Sequence, residues 1–279
     1  MTALRYVVAD VFTDTPLTGN QLAVFTDGRG IDDATMQKLA KEMNFSETVF
    51  VLPAEAGGHA RIRIFTPAVE LPFAGHPVLG SAFVLAAPMQ LGEIKLETGQ
   101  GTVPVTLERE GPRISFGWMQ QPIPDYEPFA DAEALQELLG VRSQLSVEIY
   151  YLGPSHVYLE LGSPEEVAAL KPDFGALEAL TSAGVNCFAG SGTQWKTRMF
   201  APGSGAPEDP ATGSAAGPLA LHLARHGRIG FGDEIEISQG DEIGRPSKLY
   251  ARVEGTPERI DRVEVGGSAV TVARGEFRL

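Results

Sequence analysis

Residues 70–86, ELPFAGHPVLGSAFVLA, and residues 208–224, EDPATGSAAGPLALHLA, follow one plan: an acidic opening, a glycine turn, then an apolar helix. In register, Pro72 falls on Pro210, Gly75 on Gly213, His76 on Ser214, Ala82 on Ala220, Leu85 on Leu223 and Ala86 on Ala224. Just upstream, RIFTP (63–67) falls on RMFAP (198–202), with a three-residue shift in the intervening loop. A strand, Phe-x-Pro, an acidic loop, a Gly turn and an apolar helix, twice in the same order, predict two homologous halves. Each helix has little polar surface and is therefore expected at the centre of its own half, wrapped by strands. Its N-terminus carries free N–H groups and the positive end of the helix dipole. Two such ends in one interdomain cleft would make a carboxylate site, with Gly75 and Gly213 letting the backbone come close to the ligand.

The rest of the chain fits this division. RYVVADVF (5–12) and QLAVFTD (21–27) read as strands joined by TPLTGN. DDATMQKLAKEMN (32–44) reads as a helix capped by Asp32 or Asp33, with Met36, Leu39, Ala40 and Met43 on one face. ETVFVL (47–52) and ARIRIFTP (60–67) return to strand character, PVLGSAFVLAA (77–87) is the first apolar helix, and EIKLET, GTVPVTLE and PRISFGWM are further strands. QQPIPDYEPF (120–129) is the linker. The expected halves are thus 1–123 with a C-terminal strand at about 267–279, and 124–266. In the second half, 131–140 and 163–180 read as helices, SHVYLEL, GVNCFAG and QWKTRMFAP as strands, and 217–227 as an apolar helix stopped by Gly227. Many strands lie next to one another, which favours an antiparallel or mixed sheet and an α+β fold.

Charge narrows the partners. With 22 Lys and Arg against 36 Asp and Glu, the net charge is −14, which argues against nucleic acid or an anionic membrane surface. No apolar run is long enough to span a bilayer, and MTALRYVVADVF reads as a first strand rather than a signal peptide, so a cytoplasmic location is expected. The single cysteine, Cys187, excludes an internal disulfide and a multi-cysteine zinc site, and reads as a small buried residue. The five histidines are dispersed. His222 and His226 stand four apart with no carboxylate or thiol pattern beside them in sequence, so they read as helix-face residues and no metal is expected.

At the duplicated turns the sequence resembles the diaminopimelate epimerase-like superfamily. The resemblance implies two pseudo-symmetric halves, each a sheet wrapped around a central helix, with the active site in the cleft between them. In the superfamily's epimerases and proline racemases each helix-start turn carries a cysteine, and the pair works as a two-base couple. Here those positions hold Ala74 and Thr212, and Cys187 lies outside both turns, so two-thiol racemisation is unavailable. MNFSETVFVL, RIRIFTPAVELPFAGHPVLG, VNCFAG, RMFAP, EDPATGSAAGPLALHLARHG and EIGRPS resemble the motifs of the phenazine-biosynthesis PhzF family, from about residue 5 to the C-terminus. That resemblance implies a homodimeric isomerase that uses no cofactor and no metal. It acts on trans-2,3-dihydro-3-hydroxyanthranilate by moving a proton from C3 to C1, towards the aminoketone precursor of phenazines. Relatives with this motif acting on another small carboxylate, or a protein that binds a small acid without chemistry, are the alternatives.

The resemblance assigns roles residue by residue. Glu47 matches the general acid/base, which takes a proton from carbon and returns it on the same face. An unperturbed Glu is a weak base, so burial is expected to raise its pKa. His76 opens the first helix and is expected to orient the substrate. Asp209 matches the aspartate that binds the substrate's polar substituents, and is also placed to cap a helix. Ser214 is expected to meet the substrate carboxylate through its hydroxyl and N–H, and Gly75 and Gly213 through backbone N–H groups. Asn20 in TGNQLAVF is a weaker candidate that reads more readily as a turn residue, and His156 in GPSHVYLEL sits at a similar place in the second half and carries no assigned role.

Overall fold

The computed structural model describes residues 3–204 and 206–279. They form two compact units, Met1–Gln120 with Gly266–Leu279, and Gln121–Val265. In the first, chain order is β1 (Ala3–Val11), β2 (Asn20–Phe25), α1 (Asp33–Met43), β3 (Glu47–Leu52), β4 (Ala60–Phe65), β5 (Glu70–Leu71), α2 (Gly75–Met89), β6 (Glu93–Thr98), β7 (Gly101–Glu110) and β8 (Arg113–Gln121). The second runs through β9 (Asp125–Pro128), α3 (Ala132–Leu139), β10 (Glu148–Tyr151), β11 (Ser155–Glu160), α4 (Pro164–Ala169), α5 (Phe174–Leu180), β12 (Gly184–Ser191) and β13 (Gln194–Ala201). It continues with β14 (Ala206–Asp209), α6 (Gly213–Arg225), β15 (Glu234–Gln239), β16 (Ser247–Thr256) and β17 (Arg259–Gly267), and β18 (Ala269–Arg278) returns the chain to the first unit.

Each unit carries a mixed sheet. In the first, β1 lies antiparallel between β18 and β2, β2 runs parallel to β3, β3 antiparallel to β4, and β4 parallel to β6, which continues antiparallel through β7 and β8. The second repeats the order: β10 antiparallel to β11, β11 parallel to β12, β12 antiparallel to β13, β13 parallel to β15, and β15 antiparallel to β16. The two hairpins ahead of the turns share one register. Phe65 pairs with Glu70 and Ile64 with Leu71; Phe200 pairs with Glu208 and Met199 with Asp209. Even the ion pair is duplicated: Arg63 to Glu70 at 2.7 Å and Arg198 to Glu208 at 2.8 Å, each guanidinium lying over the following phenylalanine ring, Phe65 or Phe200.

The apolar helices sit where the repeat places them. α2 buries Gly75 through Phe83 and packs on β1, β2, β3, β6, β7 and β18; each buried Val, Leu or Phe side chain contributes about 1.5–3 kcal/mol. Gly80 is required there, because a Cβ would lie 2.6 Å from Leu22 Cδ2. α6 is buried from Gly213 to Ala224. Its end is closed by Gly227 at φ 68, with the N–H of Arg228 reaching back to the Leu223 carbonyl.

Both helices begin earlier than their apolar runs suggest, at Gly75 and Gly213. Pro77 falls in the first turn, where no intrahelical N–H is needed. Pro218 lies deeper and leaves the Ser214 carbonyl without its helical donor. Two other expectations change. The segment 120–129 is not all linker, since Asp125–Pro128 pairs with β10 as an exposed edge strand, where proline is tolerated. The helix expected over 163–180 is two helices, because Pro172 cannot continue the first and Asp173 caps the second by accepting from the Ala176 N–H. Cys187 is fully buried and burial pushes its thiol up to about 12. Among the described residues no helix is long and apolar enough to cross a membrane.

Candidate active site

The first unit places three polar side chains together at the start of α2. Glu47 opens β3, whose neighbour is β2 (Leu22 pairs with Glu47). Its Oε2 lies 3.4 Å from His76 Nε2, and both side chains are largely covered. His76 is the second residue of α2. Burial holds its pKa down to about 3, against the pull of the Gln21 backbone, so the ring is neutral at ordinary pH. The contact with Glu47 is therefore not an ion pair, and it is longer than an ordinary hydrogen bond. Asn20, at the start of β2, is buried, and its Nδ2 lies 3.3 Å from His76 Nδ1. It is not simply a turn residue: the strand begins on it and points it at the helix start. Beneath the turn, Gly99 approaches so closely that a Cβ would lie 2.9 Å from Pro72 Cα. Ala74 is the N-cap of α2 and supplies no side-chain cap, so the N–H groups of Gly75 and His76 stand at the helix start.

The second unit builds its turn from side chains. Asp209 is buried and accepts a 2.6 Å hydrogen bond from Thr212 Oγ1. It does not act as the N-cap, which is Thr212. Gln239 from β15 clamps the loop: its Nε2 donates to the Asp209 carbonyl at 2.8 Å and to Thr212 Oγ1 at 3.0 Å, and its Oε1 accepts from the Thr212 N–H. Gln121 Nε2 donates to the Gly213 carbonyl and the Tyr158 hydroxyl to the Ala215 carbonyl. Gly217 makes room for Gln121, whose Oε1 would lie 2.3 Å from a Cβ there. The N–H groups of Ala215 and Ala216 turn back to the Thr212 carbonyl, leaving those of Gly213 and Ser214 at the helix start. Ser214 Oγ lies 3.0 Å from His156 Nε2. Two helix-start N–H groups, a hydroxyl and the dipole end suit a carboxylate.

A third cluster lies at the other end of α6. Among the described residues, Glu148, His222 and His226 are the group of three that brings metal-capable atoms within 4.8 Å of one another. The sequence shows no carboxylate near the two histidines, but β10 delivers one from 74 residues away. Glu148 already accepts from Arg225 at 2.6 Å and from the Tyr150 hydroxyl at 2.9 Å. It is held as a carboxylate well below its usual range by His222, Arg225 and Tyr150, against the cost of burial. Arg225 supplies the positive charge this carboxylate needs and opposes a dication beside it.

A model of phenazine biosynthesis-like proteins, PhzC-PhzF, matches residues 9–275. The chain belongs to that family. It is 51% identical to the trans-2,3-dihydro-3-hydroxyanthranilate isomerase of Pseudomonas aeruginosa over 276 residues, 99% of each chain. Among solved structures, a PhzF-family phenazine biosynthesis protein of Bacillus anthracis superposes with a TM-score of 0.85 at 24% identity, covering all of both chains. A hydroxyproline epimerase of Agrobacterium vitis superposes at 0.68 with 12% identity, over 98% of this chain and 92% of its own. These likenesses establish the diaminopimelate epimerase-like fold, with its central helix in each half.

Sequence reasoning missed the supports of the second turn. Gln239, Gln121 and Tyr158 carry no motif signal, because each is an ordinary strand residue whose partner is distant in the chain. Asn20, a weaker candidate in the sequence, gains its place from opening a strand beside the candidate base, with its Nδ2 3.3 Å from His76 Nδ1.

Proposed function

We propose that this chain is a trans-2,3-dihydro-3-hydroxyanthranilate isomerase, moving a proton from C3 to C1 without a cofactor. The observation that carries the reading is the joint one of full-length 51% identity to an isomerase of that name and a carboxylate, Glu47, standing 3.4 Å from a neutral buried imidazole. Glu47 takes the C3 proton and returns it at C1. A single carboxylate can do both, since its conjugate acid is the donor for the second step. Neutral His76 hydrogen-bonds the substrate and adds no charge beside Glu47. Asp209 accepts from the polar substituents, Ser214 and the Gly213 N–H receive the carboxylate, and Gly75 offers the substrate a backbone N–H at the start of α2. The reading includes a homodimer in the cytoplasm; light scattering on the purified protein tests the dimer.

The test is substrate discrimination. The protein should turn over the dihydro-hydroxyanthranilate and leave the α-carbon of proline, hydroxyproline and diaminopimelate unexchanged, because Ala74 and Thr212 offer no thiol. Exchange at an amino-acid α-carbon, with no turnover of the cyclohexadiene acid, would replace this reading with a racemase.

A further inference from the structure

The duplicated register places one buried polar side chain where the other unit carries an apolar one. Thr48 pairs with Phe65 across β3 and β4, and Val185 with Phe200 across β12 and β13. Glu47 therefore corresponds to Gly184. Across the parallel neighbours, Leu22 pairs with Glu47 and His156 pairs with Gly184, so His156 stands where the first unit has Leu22. The scaffold accepts a fully apolar side chain at that place, and Leu22 is completely buried. Putting an imidazole there costs desolvation, and burial pushes its pKa down to about 4. The ring makes one side-chain hydrogen bond, from Nε2 to Ser214 Oγ at 3.0 Å, and its Nδ1 has no partner.

Room for the ring is made by Gly184. A Cβ there would lie 2.8 Å from His156 Nδ1 and 3.0 Å from Met199 Sδ. The orphaned Nδ1 also identifies the tautomer. A buried N–H without an acceptor is rarer and costlier than a bare lone pair, so the neutral ring carries its proton on Nε2. That N–H donates to Ser214 Oγ and occupies an oxygen lone pair. The hydroxyl hydrogen must then point away from the imidazole.

We propose that His156 is a positioning residue: it fixes Ser214 Oγ as an acceptor on the protein side, so that the hydroxyl hydrogen is presented to the ligand carboxylate at the start of α6. The proposal deepens the isomerase reading and rests on it for the identity of the ligand, though not for the tautomer.

The conservative probes follow from geometry. Gln places an amide nitrogen where His has Nε2, while Leu reproduces the first unit's own residue. His156→Leu should raise KM about tenfold, the lower end for a hydrogen bond to a charged group, and change kcat less than about twofold, as lost uniform binding does. His156→Gln should restore KM to within about twofold. Gly184→Ala should reproduce the His156→Leu loss by pushing the ring off the serine. In a Ser214→Ala background, His156→Leu should have no further effect. The Kd of anthranilate, an aromatic 2-aminobenzoate that cannot be isomerised, should follow the same pattern. Nitrogen-15 NMR of the wild-type ring should show Nε2–H. An Nδ1–H tautomer, a full His156→Leu loss in the Ser214→Ala background, or failure of wild type to bind anthranilate overturns the proposal. Absence of turnover with anthranilate binding and the tautomer intact would instead remove the isomerase reading and leave the positioning role standing.

Discussion

The two hairpin-turn-helix copies share their register, their Arg–Glu pair and their buried helix, and differ at four positions where at least one copy carries a polar side chain. Glu47 in the first unit corresponds to Gly184 in the second, Leu71 to Asp209, His76 to Ser214, and Leu22 to His156. The carboxylates are complementary. The first unit keeps one on its third strand and an apolar residue before the turn; the second does the reverse. Duplication thus supplies a scaffold, and the proposed site residues Glu47, His76, Asp209 and Ser214 all fall where the two copies depart from each other. The supports differ as well. The first turn relies on the close backbone approach of Gly99 to Pro72, whereas the second is held by Gln239, Gln121 and Tyr158.

The duplicated ion pair offers the largest contrast. Arg198 and Glu208 are each 8% exposed in their side chains, while Arg63 is 16% and Glu70 42% exposed. Arg198 also donates to the Ala168 and Leu170 carbonyls. Arg198→Ala should cost about 3–5 kcal/mol by urea unfolding, as a buried charge left unpaired does, and Arg63→Ala about 1 kcal/mol. Equal losses would mean that the two pairs are energetically the same device. Next in size, Asp209→Leu, which makes the second turn resemble the first, should lower kcat/KM about 10- to 100-fold. Steady-state kinetics would reveal it, and an unchanged kcat/KM would remove Asp209 from the site.

Gln239→Leu strips three hydrogen bonds from the second turn. It should cost about 2 kcal/mol and lower Tm by roughly 4–8 °C. Thr66→Ala in the loop before the first turn, where the hydroxyl joins Val69 and Ala68, should cost about 1 kcal/mol. A separate effect, read as a slope and not as a single loss, is in pH. His76 and His156 are held by burial to about 3 and about 4, below their unfolded value of about 6.5. Their stabilising contribution is complete above about pH 6.5. It declines below that, because the unfolded chain binds the protons first, by up to about 1.4 kcal/mol per pH unit for each ring. Urea midpoints between pH 7 and 5 should fall accordingly, and His156→Gln should flatten the slope.

What could be read from the sequence was local or repeated. The period of Met36, Leu39 and Ala40 gives α1, and all three are buried. The duplicated motif gives both buried helices. Their starting points were obscured because Gly75, Gly213 and Pro218 are poor helix formers that tertiary packing holds in place. The break between α4 and α5 was legible in Pro172 and was overridden by an apolar period that runs through it. Glu148 beside His222 and His156 beside Ser214 are contacts across 74 and 58 residues, and no periodicity within either segment encodes them. The His156 position becomes meaningful only once the strand register aligns it with Leu22.

The central claim is that Glu47 alone carries the proton from C3 to C1. Proton NMR of the dihydro-hydroxyanthranilate in deuterated water, with wild type and with Glu47→Gln, follows the C3 hydrogen directly. Wild type should consume that signal, and Glu47→Gln should leave it in place at a rate lower by about 10²- to 10⁴-fold, the range for loss of a general acid/base. Loss of the C3 signal at the wild-type rate in Glu47→Gln would contradict the account and require another base.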